Sequence, residues 1–296
     1  MQGSRQNRPS LVAVELIDLD RHWAARRGTL SLPERVALLV DGCRGGDVAL
    51  LAAVEALACH AELQGEQAAR CGLEMPYHNR SHVHDVLLGW WLLSATGQSG
   101  LDGNARLLVM AAMIGHDLLH DGTFNQHPYQ LEKRAWRDMA PLLDQAGVSR
   151  REQRAIMAIV LATDPKSYVR FTTRPVENTL RRCFLLAIGS DLFASLLPRT
   201  GFASGSLLAR ESRSAGLGAG SERLATLEGR AAFLRNVPRL GRMFEACGMD
   251  LLIDHQLKVI GAMPDADRLR PWDSAWGDAF GEAVQASLVQ AADWTG

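Results

Sequence analysis

Cysteine is sparse in this sequence and gives no pairing pattern. Cys43, Cys59, Cys71, Cys183 and Cys247 are odd in number, scattered and never spaced as CxxC. That argues against a disulfide framework and a cysteine zinc site, and it suits a reducing cytoplasm. An excess of either charge is also missing, with 32 Lys and Arg against 33 Asp and Glu. Nothing in that balance announces nucleic acid or an anionic membrane as a partner. No stretch approaches the ~20 apolar residues of a spanning helix. The opening segment, whose apolar run is broken by Glu15, Asp18 and Asp20, does not read as a signal peptide. Strict alternation of β-branched residues is nearly absent, and no repeat occurs at solenoid periods. The expectation is a cytoplasmic chain with neither a membrane nor a nucleic-acid partner.

Hydrophobic residues make up 47% of the 296, enough for a sizeable core. Apolar residues recur at i, i+3, i+4 spacing near 33–42, 47–70, 81–97, 104–120, 127–146, 149–163, 176–197, 221–235 and 250–262, so the chain is expected to be an all-α, compact multi-helix bundle. ARLLVMAAMI, residues 105–114, is apolar all round and belongs at the centre. Residues 1–10 are expected to fray, and 11–296 to form one domain. The Gly- and Ser-rich stretch near 200–221 reads as a flexible loop within it. Trp272, Trp276, Phe280, Val284 and Leu288, spaced every four residues, read as a core-facing helix that also admits a homodimer contact.

Histidine is where chemistry first shows. Six of nine, His78, His82, His84, His116, His120 and His127, fall between residues 78 and 127. His84 and His127 read as structural or surface residues. His78 and His82 are four apart at a helix start, and Asp85, three beyond His82, can hold that ring by its other nitrogen. His116 and Asp117 sit together at the end of the apolar helix, where an unpaired carboxylate costs several kcal/mol. Asp191 is the only acid in an apolar run from 183 to 198. A divalent cation held by His82, His116, Asp117 and Asp191 offsets these costs. The donors suit zinc, manganese, iron or magnesium.

Four segments together point to a family. YHNRSHVHDV from Tyr77, HDLLHDGTFN from His116, LATDPKS from Leu161 and SDLF around Asp191 resemble, in order, signatures of class I cyclic nucleotide phosphodiesterase catalytic domains. These belong to the HD superfamily of metal-dependent phosphohydrolases. The chain is similar to a divergent, bacterial-type member over roughly residues 70–200.

The resemblance implies an all-helical fold and hydrolysis of a small-molecule phosphodiester, with a 3′,5′-cyclic mononucleotide favoured. His82, His116, Asp117 and Asp191 would hold a first metal, generally zinc, with iron or manganese as substitutes. Asp117 would bridge to a second, magnesium or manganese, and a hydroxide between the two would attack phosphorus. His78 would be the general acid, and His120 and Glu132 would sit just outside the metal ligands. Tyr77, Asp164 and Tyr168 are the substrate-contact candidates.

The departures concern specificity. Leu119 stands where mammalian members carry Asp, and Tyr168 where they carry His. The base-gripping glutamine has no counterpart in context, Gln256 and Gln285 being the only late candidates. Nucleotide phosphohydrolysis, cyclic dinucleotide hydrolysis and a catalytically silent binding role on the same fold are the alternatives. A di-iron oxygenase is disfavoured because no histidine lies between His127 and His255.

Overall fold

Helix starts follow the capping chemistry of the sequence. In a computed structural model that describes residues 8–43, 45–95, 99–173, 178–217 and 220–293, α1 runs Arg8–Arg26 and buries Ala13, Leu16, Ile17 and Trp23 along one face. Ser31 and Glu34 form a reciprocal capping box at the start of α2 (Leu32–Val40). Asp47 accepts the first free N–H groups of α3 (Val48–Arg70). Asn79 does the same for α4 (Arg80–Ala95), accepting from the N–H groups of Ser81 at 2.8 Å and His82 at 3.3 Å.

Asp102 caps α5 (Gly103–Gly115), whose residues 109–115 are all buried, as its uniformly apolar sequence requires. Then come α6 (Gln130–Gln145), α7 (Arg150–Leu161) behind a Ser149–Glu152 capping box, α8 (Tyr168–Thr173) and α9 (Asn178–Leu196). The chain continues with α10 (Pro198–Ser214), α11 (Leu227–Asn236), α12 (Arg242–Ala246), α13 (Met249–Ala262), α14 (Asp265–Leu269) and α15 (Ser274–Asp293). Among the described residues the only β pairing is one isolated bridge, Thr226 to Pro271. The all-α expectation holds.

By packing, the chain divides into two compact units. One is Arg27–Phe193, and the other joins Met1–Arg26 to Ala194–Gly296. In the first, α5 packs on α3, α4 and α7. Gly89 lets α4 and α9 meet closely, since a Cβ there would lie 2.6 Å from both the Ser190 carbonyl and Phe193 Cβ. This contact is two turns beyond His82 and one residue from Asp191, so it brings the two site helices together. In the second unit α10 packs on α1 and α15. Phe280, Val284 and Leu288 of α15 are fully buried, as their spacing predicts.

Three expectations need correction. The stretch near 200–221 is not a flexible loop, because α10 occupies Pro198–Ser214 and a 3₁₀ turn follows at Ser221–Ala225. Its small residues serve close packing: a Cβ on Gly201 would strike the Ser195 carbonyl, and one on Gly205 the Leu224 carbonyl. Residues 218–219 of that stretch lie outside the described residues. The apolar helix does not run to 120. It ends at Gly115, and Leu119, with φ 60°, turns the chain into the left-handed region. Within the stretch expected to fray, Arg8–Ser10 is helical and opens α1; residues 1–7 lie outside the described residues.

One described helix, α3, has the length and apolarity of a membrane span. Leu50, Ala53, Val54, Leu57, Ala58 and Ala61 are buried along it, and it packs on α2 and α5, the pattern of a core helix.

Candidate metal centre

Each proposed ligand sits where an element starts, stops or is packed from outside. His82 lies in the first turn of α4, His116 caps the C-terminus of α5, Asp117 follows it, and Asp191 is on α9. The structure brings all four together. His82 Nε2 lies 3.1 Å from Asp117 Oδ2 and 3.3 Å from Asp191 Oδ1. His116 Nε2 lies 3.1 Å and 3.4 Å from the same two oxygens. Ligand atoms of His82, His116 and Asp117 all fall within 4.8 Å of one another, an arrangement able to hold a metal ion.

The chemistry of this box supports that fit. His116 Nδ1 lies 2.9 Å from the Met113 carbonyl, so it carries the proton and leaves Nε2 facing the acids. That Nε2 is buried and has no aligned hydrogen-bond partner despite its closeness to Asp117. The edges of 3.1–3.4 Å match donor spacing around a cation with bonds of ~2.1 Å, which is ~3.0 Å in an octahedron and ~3.4 Å in a tetrahedron.

Burial opposes charge on all four groups, but mutual attraction prevails. His82 is pushed up to about 9 and His116 well above the usual imidazole range, because the two carboxylates outweigh desolvation. Asp117 and Asp191 are held well below the usual carboxylate range by the facing imidazoles. One divalent cation in place of two imidazole protons leaves the net charge of the box unchanged.

Around the box, the other expected residues take distinct places. His78 and His120 stack with ring centroids 3.6 Å apart, and His78 is close enough to Asp117 to help hold it ionised. The Gly122 N–H donates to His120 Nδ1 at 3.0 Å, so a neutral His120 carries its proton on Nε2. Tyr77 packs its ring against His78 and His82, with centroids 4.7 and 4.8 Å away. Glu132 accepts from Asn125 Nδ2 at 3.0 and 3.2 Å, and burial pushes its carboxyl up.

Asp85, Tyr168 and Asp164 each hold a partner within the protein. Asp85 pairs with Arg27 at 3.0 Å. The Tyr168 hydroxyl donates to Asp191 Oδ2 at 3.3 Å, which steadies a ligand from behind. Asp164 is buried and committed to the protein, accepting from the N–H groups of Lys166 at 3.1 Å and Tyr129 at 3.3 Å. Tyr129 itself has φ 62°, so this is a second strained turn near the box.

His84 is structural, as expected. It is buried and accepts from Arg35 Nε at 2.8 Å, with burial and the nearby arginines pushing it down to about 4. His127 is exposed. Of the late glutamines, Gln256 is fully buried and locked to Arg230 and the Leu196 carbonyl, and Gln285 accepts from Arg21 at 2.7 Å.

Sequence reasoning missed Asn125 and Gly122, which orient Glu132 and His120. Their only signal was the Asp-Gly-Thr-Phe-Asn turn after His120. Compared with known proteins, the chain matches no family model, no curated protein and no solved structure.

Proposed function

We propose that this protein is a metal-dependent phosphohydrolase that opens a cyclic nucleotide, most readily a 3′,5′-cyclic mononucleotide. The reading is carried by one observation: two imidazoles and two carboxylates converge in a buried box, with the His78–His120 stack beside Asp117. The order of the four signature segments along the chain supports it. His82, His116, Asp117 and Asp191 would hold the first metal, zinc or iron or manganese, and Asp117 would be shared with a second, magnesium or manganese. Bound cations would supply Lewis acidity at phosphorus and a water acidic enough to be a nucleophile at neutral pH.

The chain's own residues do the rest. His78 delivers a proton to the ribose oxygen as its bond to phosphorus breaks and a bond from hydroxide oxygen to phosphorus forms, the water having lost its proton to solvent beforehand. His120 backs that ring and keeps it facing the box. Tyr168 fixes the orientation of Asp191, and Asn125 that of Glu132. With Gln256 held by Arg230 and Gln285 by Arg21, neither late glutamine candidate is left to read the base edge, so discrimination between adenine and guanine is weak.

A His78→Ala variant tests this reading against two substrates. Turnover of a cyclic nucleotide should fall ~10²–10⁴-fold, the range for a positioned acid, while metal content stays constant. Hydrolysis of a nitrophenyl phosphodiester, whose leaving group departs as a stable anion, should fall far less. Equal losses on both substrates, or loss of the metal, would remove His78 from the acid role. A panel of cyclic mononucleotides, cyclic dinucleotides and nucleoside phosphates with no turnover under manganese, magnesium or zinc would sink the reading itself.

A further inference from the structure

A cavity of about 450 Å³ opens beside the metal centre, entirely within the Arg27–Phe193 unit. Its floor includes His78, Asp117 and His120. Its walls are mainly apolar: Ala61, Ala68, Met75, Val83, Ile114 and Leu118, from α3, α4, α5, the segment between α3 and α4 and the turn after α5. The volume lies within the usual range for small-molecule sites, ~300–1,000 Å³.

The charge inside this cavity is already spent. Among the described residues Arg80 is the only Lys or Arg in the lining. Its Nε donates to Glu74 at 2.9 Å, and its Nη1 to Glu62 at 2.7 Å. Gln64 is likewise committed, to His60 at 2.8 Å and Asp138 at 3.1 Å. Away from the His78 floor, a phosphate against these walls would meet Glu74 and apolar carbon, with Arg80 already held by two carboxylates, and burying it there is costly. An uncharged organic group meets no such penalty and gains from the apolar contact.

We infer that this cavity receives the neutral organic half of the substrate, so the site accepts compounds with a single phosphoryl group and rejects those with a second phosphate on that half. This rests on the phosphohydrolase reading above and deepens it. It favours mononucleotides over cyclic dinucleotides and nucleoside bisphosphates.

Cys71 lines the cavity and is exposed, whereas Cys59 is exposed but does not line it. Alkylation of the full, manganese-supplemented chain, read at each cysteine by peptide mass spectrometry, therefore reports occupancy with an internal control. Adenosine 5′-monophosphate at ten times its dissociation constant should slow Cys71 alkylation ~10-fold by mass action, with Cys59 unchanged. Inorganic phosphate should leave Cys71 as reactive as before, and adenosine 3′,5′-bisphosphate should protect it much less than the monophosphate. Ala68→Trp, which fills the cavity, should abolish protection without changing metal content.

Protection by phosphate alone, equal protection by the bisphosphate, or none by the monophosphate would overturn the assignment. If metal is held in those samples, the phosphohydrolase reading survives that failure. If no metal is held, both fall.

Discussion

In the unit built from α1 and α10–α15, the buried Arg230 directs its donors to Gln256 at 2.6 and 3.0 Å and to the carbonyls of Ser195, Leu196 and Leu197 at 2.8–3.1 Å. There it caps the negative end of α9. Buried Asp20 in the same unit accepts from the N–H groups of Arg199 and Thr200 and from the Thr200 hydroxyl. In the Arg27–Phe193 unit, by contrast, the buried His116 turns an unsatisfied Nε2 toward two carboxylates. Arg230 and Asp20 find their partners within the protein, whereas the box of His82, His116, Asp117 and Asp191 leaves donor atoms converging on a point. Buried polar groups with no partner in the protein are where a ligand is needed.

That contrast is best broken by substitution at the metal box. Purified protein should carry at least one tightly bound transition metal per chain, and Asp117→Ala or Asp191→Ala should remove nearly all of it by elemental analysis. Unchanged metal in both variants would reject the box as a site. The matching change in the other unit is Arg230→Ala. That change takes the donor from the buried Gln256 Oε1 and the Ser195 carbonyl, while Leu196 keeps Gln256 Nε2 and Leu197 keeps the Gly201 N–H. It should cost ~1–3 kcal/mol, seen as faster hydrogen exchange in α11 and α13, while metal per chain stays as in the wild type.

Smaller changes sharpen the comparison. Tyr168→Phe deletes only the hydroxyl behind Asp191 and should weaken metal affinity ~10–100-fold, the usual cost of losing such a support, in a chelator competition titration. No weakening would make that hydrogen bond incidental. The smallest effect concerns His255, whose Nδ1 lies 2.9 Å from Ser287 Oγ between α13 and α15. Burial, then the Lys258 charge, pulls its pKa down. The neutral ring is therefore favoured in the folded state. Its contribution is complete above the ordinary imidazole value of ~6.5 and declines as pH falls below it. Exchange in α13 should thus rise modestly from pH 7 to pH 5, and His255→Gln should flatten that dependence.

Much of this was legible in the chain itself. Helical periodicity, the Ser31–Glu34 and Ser149–Glu152 capping boxes and the uniformly apolar 105–114 stretch are local properties, set by side chains three or four residues apart. They fixed the fold class and the central place of α5. His82, His116, Asp117 and Asp191 were readable too, because a polar group inside an apolar run advertises an unmet need wherever the chain places it. Composition misled in α10, where Gly201 and Gly205 look like flexibility but are sites of close backbone approach.

Tertiary structure alone decided which partner each group received. No spacing shows that Tyr168 reaches Asp191 across 23 residues, that Asp85 goes to Arg27, or that Gln256 is consumed by Arg230. The neutral cavity beside His78 is equally invisible in sequence, since Arg80 reads as an available cation until Glu62, eighteen residues away, is seen to hold it. Local sequence sets the conformation of a segment through short-range sterics and hydrogen bonds. Long-range pairing depends on how helices pack, and that is a property of the whole chain.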